Sequence, residues 1–185
     1  MVYRTKTYLA GDWDGDRDAI EQIKKWNDSN YWSLHFVDVH EVTQSSDDSL
    51  YCSIKKSLSQ RMDMCKTFVL VVGKNTKTVT KGACFNCGNY VKEDSALYYG
   101  YYYSSPYAQR AAHCSSGGSI SNKSYIQFEC DKAVRDGLRI VVLYNSIYKY
   151  PERCPEAVRD IGIHVPMKKS NGDWDYYAVK NAIMG

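Results

Sequence analysis

Polar and β-forming residues alternate from Tyr3 to Leu9 and stop at Gly11, a pattern that predicts a first strand. Asp18 followed by Glu21 has the spacing of a capping box, and Ile20, Ile23 and Trp26 extend a helical stripe to Asn27. Tyr31 to Val39 reads as a second strand, the polar run from His40 to Ser49 as a loop, and Leu50, Ile54 and Leu58 as one face of a second helix. Lys66 to Gly73 encloses Thr-Phe-Val-Leu-Val-Val, the continuous apolar run expected of a strand covered on both faces of a parallel sheet. Ser124 and Gln127 predict a capping box for a third helix. Ile126, Cys130, Ala133 and Val134 form its apolar stripe and Gly137 its stop. A fourth strand follows over Arg139 to Tyr144 and a short fifth over Gly162 to Met167. A closing helix runs from Asp175 to Met184, with Ala178, Val179, Ala182 and Ile183 inward.

Five strands alternating with helices predict an α/β domain with a mainly parallel sheet. Right-handed crossovers place every strand C-terminus on one edge, where open α/β sheets bind ligands. Gly11 to Arg17, Val39 to Ser49 and the residues after Gly73 meet there. The connection from the third strand to its helix is far longer than the 2 to 6 residues usual in such units. Segment 74–123 is rich in Tyr, Ser, Gly and Cys, lacks apolar periodicity, and reads as an insertion in a single domain spanning 1–185.

Length and composition agree with one domain: 185 residues, 44% of them hydrophobic, are enough for a core and exclude a disordered chain. Mean hydropathy is −0.51, and no apolar run approaches the ~20 residues of a membrane helix. The first residues carry no apolar segment of a secretory signal. A cytoplasmic protein with no membrane association is therefore expected. The net charge of +3 is uneven. Six basic and two acidic residues lie between Lys74 and Ser124, which leaves the rest near neutral and without a basic face, so nucleic acid is not an expected partner. Seven cysteines at irregular spacing read as reduced thiols, with Cys52 and Cys130 as small core residues.

Several motifs are missing. No Gly-x-Gly-x-x-Gly follows the first strand, no phosphate-binding Gly-x-x-x-x-Gly-Lys-Ser/Thr occurs, and no Gly-x-Ser-x-Gly nucleophile elbow is present. The chemistry must come from elsewhere. Asp12, Asp14, Asp16 and Asp18 alternate in the first loop, but Arg17 and Ile23 occupy the positions where a calcium loop needs Gly and Glu. These carboxylates suit helix N-capping, ribose hydroxyls or a cation. Trp13 in their midst suits stacking on a base or covering the sheet edge. Cys84 and Cys87, then His113 and Cys114 after 25 intervening residues, supply four soft ligands that a structural zinc ion would use to order the insertion. Free thiols and a redox pair are the alternatives. Seven tyrosines between Tyr90 and Tyr107 suit either a contact surface or a lid. Glu129 falls on the shoulder of the third helix's apolar stripe, in its second turn at the ligand edge. Geometry alone favours a solvent-facing carboxylate over a pocket-facing one.

The run Tyr125-Ile-Gln-Phe-Glu129-Cys, followed by Lys132, Ala133, Gly137 and Ile-Val-Val-Leu, resembles the helix and strand of TIR-like domains. In those an aromatic residue, usually Trp and here Tyr125, precedes the key Glu by four positions. Asp38 closing the second strand and Ile54-Lys-Lys-Ser-Leu58 before Thr67–Gly73 keep the family's order. The likeness covers roughly 3–73 and 122–184 and is nearest to bacterial TIR-like proteins of the Thoeris antiphage type. It implies a flavodoxin-like, three-layer fold with five strands. It implies an enzyme that cleaves the nicotinamide–ribose bond of NAD, by hydrolysis or by cyclisation to a signal nucleotide, with Glu129 as the catalytic residue. By position, Asp12, Trp13, Asp14, Asp38 and His40 would shape the nucleotide pocket. The resemblance also implies self-association and a downstream effector, and it allows a non-catalytic signalling scaffold. A phospho-acceptor receiver shares the fold but would end its third strand in Asp, where this chain has Gly73.

Overall fold

The computed structural model describes residues 6–29, 36–37, 51–80, 82 and 123–185. Its sheet contains β1 (Lys6–Ala10), β3 (Cys65–Val72), β4 (Arg139–Tyr144) and β5 (Ile163–Pro166), with the two-residue segment β2 (Phe36–Val37) beside β1. The order is β2-β1-β3-β4-β5, with every neighbouring pair parallel, an order shared with flavodoxin-like folds. Helices α1 (Arg17–Asp28), α2 (Tyr51–Met62), α3 (Tyr125–Arg135) and α4 (Tyr176–Met184) cover the two faces.

Strand alternation divides the core in two. Tyr8, Phe68, Leu70, Val142 and Tyr144 point toward α2 and α3, where Leu58, Met62, Ile126 and Cys130 meet them. Leu9, Val69, Val71, Val141 and Leu143 point the other way, against Ile20 and Ile23 of α1 and Val179 and Ile183 of α4. Seven of the eight β3 residues are buried, as their unbroken apolar run requires in a strand with neighbours on both sides and helices on both faces.

Helix ends follow local chemistry in three cases. At α3, the Ser124 hydroxyl accepts from Gln127 N and the Gln127 amide oxygen accepts from Ser124 N, a complete capping box. Gly137 follows its end with φ of +66°, a left-handed conformation that any side chain would strain. Asp175 caps α4 by accepting from Ala178 N.

Two local expectations fail. Asp18 and Glu21 make no capping box: α1 begins at Arg17, and its N-cap residue Asp16 makes no side-chain cap bond. Asp18 instead accepts from Asn145 and pairs with Lys168, while Glu21 pairs with Arg17. Asp18 thus faces groups that follow β4 and β5 rather than its own helix backbone. Val134, placed in the α3 stripe by periodicity, is 40% exposed because the buried face turns the other way, toward Glu129.

Candidate active site

The chain leaves β3 at its C-terminal end, so α3 starts at the ligand edge of the sheet and runs back along it. Glu129 lies in its second turn. The carboxylate does not face solvent: Glu129 is 4% exposed. The inward positions around it, Ile126, Cys130 and Ala133, belong to the apolar layer against the sheet. A wider buried face than the four-residue stripe therefore draws in the shoulder position.

Burial of a carboxylate requires a donor, and here it comes from the sheet. The Tyr8 hydroxyl, on β1, donates to Glu129 Oε1 at 2.5 Å. Tyr8 is fully buried, and its ring stacks on Phe68 of β3 at 5.8 Å between centroids and 19° between planes. Burial pushes the Glu129 carboxyl up to about 7, with the Tyr8 hydrogen bond pulling in the opposite direction. The same burial, followed by the neighbouring Glu129, pushes the Tyr8 hydroxyl well above its usual range. Cys130 is likewise pushed well up, first by burial and then by Glu129, so it is a neutral thiol rather than a nucleophile. Near neutral pH, Glu129 is poised between its two charge states.

Tyr125 opens α3 four positions before Glu129 and is buried. Gly82, with φ of +87°, lies against its ring. A side chain at 82 would stand within 2.5 Å of three of the ring's carbons.

The first loop is organised around a different carboxylate from those expected. Asp16, 3% exposed, accepts from Asn145 Nδ2 at 3.1 Å and from Thr76 Oγ1 at 3.4 Å, while Thr76 Oγ1 accepts from Gly73 N at 2.8 Å. Burial pushes Asp16 upward, against the hydrogen bonds from Asn145 and Thr76. It ties the ends of β3 and β4 to the β1–α1 loop. Asp12 accepts through its backbone oxygen from Asp16 N at 2.7 Å and through Oδ1 from Asp14 N at 3.3 Å, and Asp14 is exposed. Trp13 packs on the α1–α4 side of the sheet, with Lys24 Nζ 4.5 Å from its ring centroid. Glu129 belongs to the α2–α3 side. The structure therefore does not bring Trp13 and Glu129 to one face.

Asp38, His40, Cys84, Cys87, His113 and Cys114 lie outside the described residues, as do seven positions' worth of tyrosines between Tyr90 and Tyr107. Among the described residues, no group of three or more His, Cys, Asp or Glu could hold a metal ion. Cys65, Cys130 and Cys154 are buried thiols. Among the described residues, no helix is long and apolar enough to cross a membrane.

Sequence reasoning missed Tyr8 and Asn145. Tyr8 sits mid-strand and reads as one more β-former, and nothing in the order of residues couples positions 121 apart. Asn145 follows β4 as an ordinary strand-end residue. No curated protein matches the chain. Residues 8–81, which reach from Tyr8 past the end of β3, match the family model of the Thoeris protein ThsB, TIR-like domain, so over this stretch the chain is similar in sequence to that family.

Proposed function

We propose that this chain is a TIR-like enzyme that cleaves the nicotinamide–ribose bond of NAD, acting in nucleotide signalling of the antiphage kind. The supporting observation is the Glu129 carboxylate, buried and poised near neutrality, on a helix that opens at the ligand edge of a parallel sheet. The proposal includes a flavodoxin-like, three-layer, five-stranded single domain with segment 74–123 inserted before α3.

Cleavage breaks the bond between the ribose anomeric carbon and the nicotinamide nitrogen. Nicotinamide leaves neutral with the bonding pair, and positive charge develops on the ribose as an oxocarbenium-like centre. A carboxylate beside the ribose accepts from its hydroxyls and stabilises that charge, and in low dielectric the effect is large. Because the leaving group departs neutral, no general acid is required. Water captures the centre and releases a proton in hydrolysis, and a nucleophile within the same molecule does so in cyclisation. Only ionised Glu129 serves, so activity rises with pH through about 7.

Asp12 and Asp14, with Asp38 and His40, are proposed to bind the nucleotide. Trp13 fits this role less well because it packs on the α1–α4 side. The zinc reading of Cys84, Cys87, His113 and Cys114 is a separate proposal. Metal analysis should return about one zinc per chain, lost in Cys84→Ser, and a folded metal-free protein would remove it. A cytoplasmic location and a downstream effector complete the proposal.

A second reading is a scaffold that signals by self-association. It is favoured by β5, which pairs only with β4 among the described strands, with Ile161 and Ile163 each 40% exposed beside it. Nicotinamide release from NAD by concentrated protein, wild type beside Glu129→Gln, separates the two. Release by wild type alone supports the enzyme. Equal release by both variants overturns Glu129 as the catalytic residue, and silence from both under assembling conditions favours the scaffold.

A further inference from the structure

We infer that Tyr8 is the positioning residue of the Glu129 carboxylate: its hydroxyl holds Oε1 and leaves Oε2 to meet the substrate. The inference rests on the NAD reading for the reaction and on the structure for the contact.

A buried carboxylate is a poor choice for a core position. Its desolvation costs several kcal/mol, and an apolar residue of similar size between Ile126 and Cys130 would pack at no such cost. Packing alone explains neither member of the pair. The Tyr8 ring does the work of a phenylalanine, stacked on Phe68 and sealed from solvent. Its hydroxyl has Glu129 as its hydrogen-bond partner among the described residues. The donor comes from β1, near the centre of the sheet, and the acceptor from α3. The bond therefore fixes the carboxylate relative to the sheet edge rather than to its own helix. With one oxygen held, the rotation that would turn the carboxylate away from a ribose is blocked.

A donor to the charged form also favours that form. Besides Glu129, the charged and titratable groups that act on Tyr8 are Arg61 of α2 and Cys65 of β3, and those that act on the neighbouring Cys130 are Asp131 of α3 and Cys154 of the β4–β5 connection. Lys55 of α2 is buried nearby in the same layer, donating to the backbone oxygen of Lys123 at 2.5 Å and lying 5.9 Å from the Phe128 ring centroid. None of these gives Glu129 the direct hydrogen bond that Tyr8 does.

Tyr8→Phe removes the hydroxyl and keeps the ring and its stack. Two readouts are taken on wild type and variant: the pH profile of nicotinamide release from NAD, and the carboxyl titration of Glu129 followed by carbon NMR, with the resonance assigned through Glu129→Gln. Loss of the donor should move the NMR midpoint to higher pH by about one unit. The kcat profile should move with it, with kcat near pH 7 down about fivefold and KM little changed. In a Glu129→Gln background, Tyr8→Phe should change nothing further. Superimposable titrations in wild type and Tyr8→Phe overturn the assignment of Tyr8. A shifted titration with an unshifted rate profile overturns its part in the reaction. Absence of release from wild type at every pH overturns the NAD reading, and the NMR titration still decides the Tyr8–Glu129 contact.

Discussion

The Asp16 carboxylate occupies the space in which a side chain at Gly73 would stand: a Cβ there would lie 1.9 Å from Asp16 Oδ1. Glycine at 73 is thus a requirement of close approach between the β1–α1 loop and the end of β3. Asp16 cannot simply swing aside, because Asn145 and Thr76 hold both of its oxygens. Gly73→Ala should cost about 2 kcal/mol or more, read as a lower urea midpoint at unchanged m. Asp16→Ala is costly as well, since it leaves Asn145 and Thr76 short of an acceptor. The double variant should be destabilised by less than the two single costs together, because the clash and the lost carboxylate are the same atoms. Strict additivity would sever the relationship.

Glu129→Gln should stabilise the protein, and increasingly so at higher pH. The folded-state carboxyl titrates near 7, above its usual 4.5. Between those values the folded protein retains a proton that the unfolded chain has lost, so wild-type stability falls as pH rises from about 4.5 through 7. Gln has no such proton. The advantage of the variant should be small at pH 5 and reach about 3 kcal/mol near pH 8. Thermal unfolding at both pH values measures it, and a gap independent of pH would contradict the burial of the charge. The same variant should release no nicotinamide, a trade of stability against activity.

Lys132 joins α3 to the end of α2. Its buried Nζ donates to Asp63 Oδ1 and Asp136 Oδ2, both at 2.6 Å. Burial pushes the Asp136 carboxyl up, but hydrogen bonds from Lys132 and Arg135 outweigh it, and the group ionises below its usual 3.8. A lowered carboxyl contributes stability that is present above 3.8 and is lost as pH falls through the folded value. Lys132→Met should cost about 1–2 kcal/mol at pH 7, modest because Asp63 is half-exposed. Chemical denaturation should show that cost shrinking in acid, and a constant cost would assign it to packing.

Ser124→Ala removes one half of the α3 capping box and should cost about 1 kcal/mol. Hydrogen exchange localises the effect. The Gln127 amide, which Ser124 accepts, should exchange faster, while the Val141 and Val142 amides of β4 should report only the global loss. Uniform acceleration at all three would show that the cap holds the whole domain rather than the first turn that leads into Glu129.

Periodicity and local chemistry place most of the described elements. The run Thr67–Val72 is buried on both faces because nothing polar interrupts it, and Ser124, Gln127 and Gly137 bracket α3 because capping and left-handed turns act within four residues. Asp18 with Glu21 has the same spacing and forms no box, since α1 begins before Asp18, whose carboxylate meets Asn145 and Lys168 from distant parts of the chain. A local rule holds where no distant group competes.

The same distinction governs the candidate site. The alternation of strands and helices, a parallel sheet with its ligand edge, and Glu129 in the second turn of a helix at that edge are all consequences of short-range order in the sequence. Tertiary structure decided the rest: Glu129 is buried rather than solvent-facing, Tyr8 supplies its donor, Trp13 lies on the α1–α4 side, and Asp16 with Gly73 closes the first loop onto the sheet. The physical reason is that a helical angle gives the direction of a side chain but not the width of the surface packed against it. A hydrogen bond between residues 121 apart exists only once the sheet has brought β1 beneath α3.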